Sequence, residues 1–186
     1  MLVVAEARMT EARPRERDDL WLRRELNYLW SVFFKDVPRA NVVEIAYGGF
    51  WKTRVGLITL SATGSKTSIR INGYLRFPEV PDYVATATIA HELVHYSHGF
   101  GSPLSQRYVH PHRGGIVNRE LERRGLGIEQ RLSSKWLKEN WTDLLARAET
   151  DRWLDRLPRS AFTPNEKVGD GLKVANVLTT EPIARQ

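Results

Sequence analysis

All five histidines of this 186-residue chain fall between positions 91 and 112, and the chain has no cysteine. Two of the histidines, His91 and His95, stand four residues apart. That spacing places two side chains on one face of an α-helix, a single turn from each other. Glu92 follows the first histidine directly and projects to the flank of the same face. The segment His91-Glu92-Leu93-Val94-His95 therefore matches the H-E-x-x-H pattern. In that pattern the two imidazoles bind one zinc ion, at about 2.0–2.1 Å each. The carboxylate stays off the metal and acts as general base, taking a proton from an attacking water and returning it to the leaving amine. The missing cysteines exclude disulfides, a zinc ribbon and any thiolate site, so a bound metal must be held by His, Asp or Glu.

A catalytic zinc needs a third protein ligand and one open position. His98, His110, His112 and Glu120 are the candidates. His98 lies on the same helix as the first two, and one straight helix does not easily surround a tetrahedral ion. A histidine there also suits a helix C-terminus, whose dipole favours it. His110 and His112 lie at the far end of a loop over 99–111 that is long enough to fold back, and Glu120 falls on the next helix. Spacing alone does not choose among them. Tyr96 and Tyr108 flank the histidines and are candidate donors to a developing oxyanion, with packing as the alternative role for each.

The surrounding pattern is that of an α+β domain. Leu22, Leu26, Leu29, Trp30 and Phe33 recur at helical spacing, which predicts a helix over 19–35 with Asp18 or Asp19 as its cap. Strands are expected over 42–47, 55–61 and 67–72, the last two joined by a hairpin through Gly64-Ser65. Pro78 and Pro81 precede the helix that carries the histidines, over 82–98. Further helices are expected over 114–124, ending at Gly125, and over 133–157, with a weak strand over 172–178. Of the six tryptophans, only Trp51 falls outside the expected helices, in a turn, which makes it the one candidate for surface contact.

An apolar fraction of 41% and a charged fraction of 27% suit one soluble domain with an accessory element. The apolar stretch from Leu2 to Ala5 is too short for a signal-peptide core, and no apolar run approaches the roughly 20 residues of a membrane span. A cytoplasmic protein with no membrane partner is expected. The net charge of +6 is compatible with DNA as a partner and equally with a solvated basic surface. Oligomeric state has no signature in the sequence.

From about Leu20 to Ile128 the chain resembles the SprT-like (Spartan-type) zinc metallopeptidases. The resemblance rests on the stretch from Ala87 to Tyr96 and on Val109-His110-Pro111-His112-Arg113-Gly114-Gly115-Ile116. In that family an N-terminal helix and a small sheet precede the H-E-x-x-H helix, and a loop then ends in a third histidine. A bulky apolar or aromatic residue commonly stands four positions after it. His112 with Ile116 fits that spacing, whereas His110 is followed at the same distance by Gly114. The resemblance thus implies His91, His95 and His112 as zinc ligands, with His110 as the alternative, and Glu92 as the catalytic base. It also implies a zincin-like domain over 19–128 with a small, mostly antiparallel sheet. A lead-in over 1–18 would precede it, and a helical extension and tail over 129–186 would follow. The implied activity is hydrolysis of a protein or peptide substrate, in Spartan-type members a protein crosslinked to DNA. Two departures stand out: Arg113 replaces the glycine usual after the histidine, and the cysteine-bearing ribbon of many relatives is absent. The rival readings are a metal protein that does not cleave peptides and a nucleic-acid-binding protein with a vestigial site.

Overall fold

The computed structural model describes residues 17–156. The chain divides into two compact units, 1–146 and 147–186. The described part of the second unit is the end of the last helix.

Helix α1 (Asp19–Phe33) begins where the Asp18 carboxylate accepts the Trp21 amide at 2.7 Å. That bond satisfies one of the donors left free at a helix start. Leu22, Leu26, Leu29 and Trp30 form its buried stripe. The helix stops two residues before the expected position. Val37 N–H turns back to Phe34 O, and the Trp30 indole donates to Val37 O at 2.9 Å.

Three strands follow: β1 (Val42–Tyr47), β2 (Gly56–Leu60) and β3 (Lys66–Ile71), in the spatial order β1-β3-β2. β3 is central and alternates, with Thr67, Ile69 and Ile71 buried. β2 pairs with it antiparallel and β1 pairs with it parallel, Ile45 and Ile58 both lying opposite Ile69. The sheet is therefore mixed rather than mostly antiparallel. A tight turn through Gly64, at φ 70°, reverses the chain between β2 and β3. The 48–55 connection instead carries the chain past the central position to the far edge, so β1 and β3 run the same way.

Helix α2 (Asp82–Ser97) is the central element, in contact with α1, β2, β3 and the third helix. It is buried nearly all round, as a helix enclosed on several sides must be. Its rotation is fixed by Tyr96. The hydroxyl accepts from Ala40 N and donates to Asn41 Oδ1, both at 3.0 Å, and the ring meets Trp30 edge-on at 5.0 Å. Among the apolar side chains of α2, Thr88, Glu92, His95 and Ser97 are buried polar exceptions.

Helix α3 (Ile116–Arg123) buries Val117 and Leu121. It closes in a Schellman arrangement: Leu126 N donates to Leu121 O at 2.8 Å and Gly125 N to Glu122 O at 3.0 Å. Gly125 sits at φ 85°, a conformation that favours glycine. Helix α4 (Gly127–Arg156) starts immediately afterwards, six residues earlier than the periodicity suggests. Ile128 and Leu132 face solvent there, which hides the helical pattern from a reading that expects apolar residues inside. Trp141 ties α4 to the 48–55 connection, its indole donating to Lys52 O at 2.9 Å. No helix among the described residues is long and apolar enough to cross a membrane. The strand expected over 172–178 lies outside the described residues.

Candidate metal centre

α2 presents His91 and His95 one turn apart, with ring centroids 4.7 Å from each other. The third imidazole arrives by a folded loop. After α2, Phe100 N donates to His95 O at 2.9 Å and the Ser102 hydroxyl to Tyr96 O at 2.7 Å. Thr67 of β3 donates to Gly101 O at 2.8 Å, pinning the loop to the sheet. Gly99, at φ 81°, lies so close to the returning strand of the loop that a Cβ would sit 2.6 Å from the Gln106 backbone. Gly114 and Gly115, both left-handed, then swing the chain into α3, and Arg119 holds the turn through Gly114 O. The outcome is a His112 ring 4.6 Å from that of His95 and 5.3 Å from that of His91.

One ring nitrogen from each of His91, His95 and His112 lies within 4.8 Å of the other two, close enough for the three to hold a metal ion. Tetrahedral zinc with bonds of about 2.1 Å would set such nitrogens about 3.4 Å apart, so a small rotation of the rings closes the set. The electrostatics suit a metal too. Burial, with the charge of His112 added, pushes the His91 pKa down to about 4. Burial together with the neighbouring histidines pushes His95 down to about 3. Both rings are neutral at physiological pH, the form that ligates. His95 Nδ1 is buried with no hydrogen-bond partner, an arrangement that is costly unless something else engages the ring.

Glu92 is 5% exposed and lines the same cleft as the three histidines. Burial pushes its pKa up to about 8, which favours the protonated acid. A dication beside it would act in the opposite sense and restore the carboxylate. What lets the carboxylate fit is Gly56 at the start of β2. A Cβ there would lie 2.4 Å from Glu92 Oε1 and 2.9 Å from Thr88 Cγ2. A lone glycine at a strand position is the sequence sign of such an approach.

The cleft has a volume of about 450 Å³. Its walls are β2 with the preceding Arg54 and Val55, the histidine face of α2, the two ends of the 99–112 loop, and the first turns of α4. That last wall was not evident from the pattern. Gln130, Ser133 and Ser134 bring polar groups into the cleft from a segment that reads as an extension beyond the domain.

The other candidates lie elsewhere. His110 is exposed and outside the cluster. His98 is buried, packed edge-on against Tyr108 at 4.9 Å, and is also outside it. Glu120 is bound by two arginines, Arg123 Nε at 3.0 Å and Arg124 Nε at 2.8 Å. Burial alone would raise its pKa, but these two partners outweigh it and the net shift is downward. Neither tyrosine borders the cleft. Tyr96 is a core residue whose hydroxyl is engaged at Ala40 and Asn41, and Tyr108 is partly exposed against His98. Helical packing carries the Tyr96 hydroxyl into the core, and the loop sets Tyr108 against His98, outside the lining of the cleft. The Thr88 hydroxyl is also committed, to Val84 O at 2.8 Å. The remaining neutral side-chain donors at the cleft are those of α4. No family model matches the sequence, and no curated protein or solved structure matches it either.

Proposed function

We propose that this chain is a zinc-dependent metallopeptidase with a zincin-like catalytic domain, related to the SprT-like enzymes it resembles. The observation that carries the reading is the convergence of His91, His95 and His112 beside a buried Glu92 in one cleft. Three imidazoles and no acidic ligand suit zinc, which polarises a carbonyl and acidifies water when it is bound. Glu92 is the base: it takes the proton of the attacking water and passes it to the amine that leaves. A site that only holds metal has no use for a carboxylate desolvated at this position, where it is costly to bury. β2 supports a polypeptide substrate, because it is an edge strand that borders the cleft and an extended chain can add to such an edge. The family resemblance and the net charge of +6 extend the proposal to proteins held on DNA.

Removal and return of the metal test this reading. Cleavage of an unfolded model protein should disappear on chelation and return with one equivalent of zinc per chain. A chain that binds one zinc and cleaves nothing, with or without DNA, would be a metal protein without peptidase activity. Stimulation by DNA would support the DNA-linked substrate class; salt-sensitive DNA binding without cleavage would favour a binding protein instead.

Gly56→Ala gives a sharper check on the base. The new methyl group competes with Glu92 Oε1 for the same space and must displace the carboxylate. Misplacement of a catalytic group by about 1 Å can cost about 100-fold. Cleavage should fall by about 10- to 100-fold while zinc content stays at one per chain. Unchanged cleavage would mean that the position of Glu92 is not used.

A further inference from the structure

A second cavity of about 290 Å³ adjoins the metal-site cleft, lined by Lys52, Thr53, Arg54, Val55, Leu137 and Trp141. Arg54, Val55 and Leu137 border both, so the two cavities form one groove. Its walls are held in place from behind. The buried Asn72 amide donates to Trp51 O at 2.7 Å and to Arg54 O at 2.6 Å, which fixes the backbone of one wall. On the other wall, Trp141 is locked by its bond to Lys52 O and by an edge-on contact with Tyr74 at 5.8 Å. A groove fixed in this way needs little ordering when a ligand enters.

The chemistry of the second cavity is mixed. Val55, Leu137 and Trp141 are apolar or aromatic, Thr53 and Lys52 are polar, and Arg54 supplies a guanidinium. Among the described residues Arg54 has no ion pair or side-chain hydrogen bond. Arg17 and Arg124, in contrast, are each committed to carboxylates. An unpaired arginine at the lip of an apolar cavity suits a ligand with an apolar stem and an anionic end, which a guanidinium can bind through two parallel hydrogen bonds. We propose that this cavity is a side-chain subsite of the substrate groove, in which Arg54 receives the carboxylate of a glutamate near the scissile bond and Trp141 and Leu137 cover its methylene stem. The inference rests on the peptidase reading for the identity of the polymer in the groove. Continuity with the cleft makes the occupant part of the same polypeptide rather than a separate ligand.

Short labelled peptides that differ only in the position of one glutamate, each beside its glutamine isostere, test the assignment by binding to zinc-loaded Glu92→Gln protein. One position should bind about three- to tenfold tighter as glutamate, the range for an ion pair that is partly exposed. Arg54→Gln should abolish that difference, Arg54→Lys should keep part of it, and Arg54→Glu should shift the preference to lysine. In the Glu92-containing protein the same glutamate should raise kcat/KM chiefly through KM. A position-specific preference in binding, with no peptide cleaved, would leave the subsite standing and remove the peptidase reading. Cleavage indifferent to glutamate at every position would do the reverse. A preference that survives Arg54→Gln, or no peptide binding at all, overturns the subsite. So does an Arg54-dependent displacement by a short single-stranded oligonucleotide with no glutamate preference, which would assign the cavity to nucleic acid.

Discussion

Glu92→Gln should lower peptide cleavage by about 1000-fold and leave one zinc bound per chain. The magnitude follows from the role: a positioned general base contributes roughly 10²–10⁴-fold. The substitution is nearly isosteric, so it keeps the packing of a side chain that is 5% exposed and wedged beside Gly56. It removes only the capacity to take a proton. The three imidazoles are untouched, so zinc content measured beside single-turnover cleavage separates loss of the base from loss of the metal. A decrease of less than about tenfold, with zinc retained, would remove Glu92 from the mechanism.

His112→Ala should abolish stoichiometric zinc binding, whereas His110→Ala should retain it. Loss of a residue that merely orients a ligand costs about 10- to 100-fold in metal affinity, and loss of the ligand itself costs more. The pair is informative because both residues are exposed and only two positions apart. Neither substitution empties a core position, so folding is unaffected in both. The structure brings His112, and not His110, to the other two histidines. Full zinc retention in His112→Ala with loss in His110→Ala would overturn the ligand assignment.

Much of the architecture can be read from short-range patterns. The stripe of Leu22, Leu26, Leu29 and Trp30, the alternation of β3 and the glycine after α3 each express a local period or a backbone requirement. Such signals need no knowledge of what packs against the element. The direction of β1 is different. Whether it pairs parallel or antiparallel depends on the path of the 48–55 connection, which carries no periodic signature. The early start of α4 was hidden for a related reason. Its first turns turn Ile128 and Leu132 outward and Gln130, Ser133 and Ser134 towards the cleft, inverting the usual amphipathic order. Local rules are often broken where a surface serves a site.

The histidines show the same division. By itself the sequence determined that His91 and His95 share a helical face with Glu92 at its flank, because a four-residue spacing in a helix allows nothing else. With no cysteine in the chain, it also determined that any metal ligands are His, Asp or Glu. The family spacing favoured His112 over His110, and the tertiary structure is what brings His112 beside His91 and His95. Two residues apart in a loop, His110 and His112 are distinguished by how Gly99, Gly114 and Gly115 fold the chain back over α2. Tertiary packing also withdrew Tyr96 into the core, placed Gly56 against Glu92 and made α4 a wall of the cleft. Each of these depends on contacts between segments distant in sequence, and spacing along the chain does not encode such contacts.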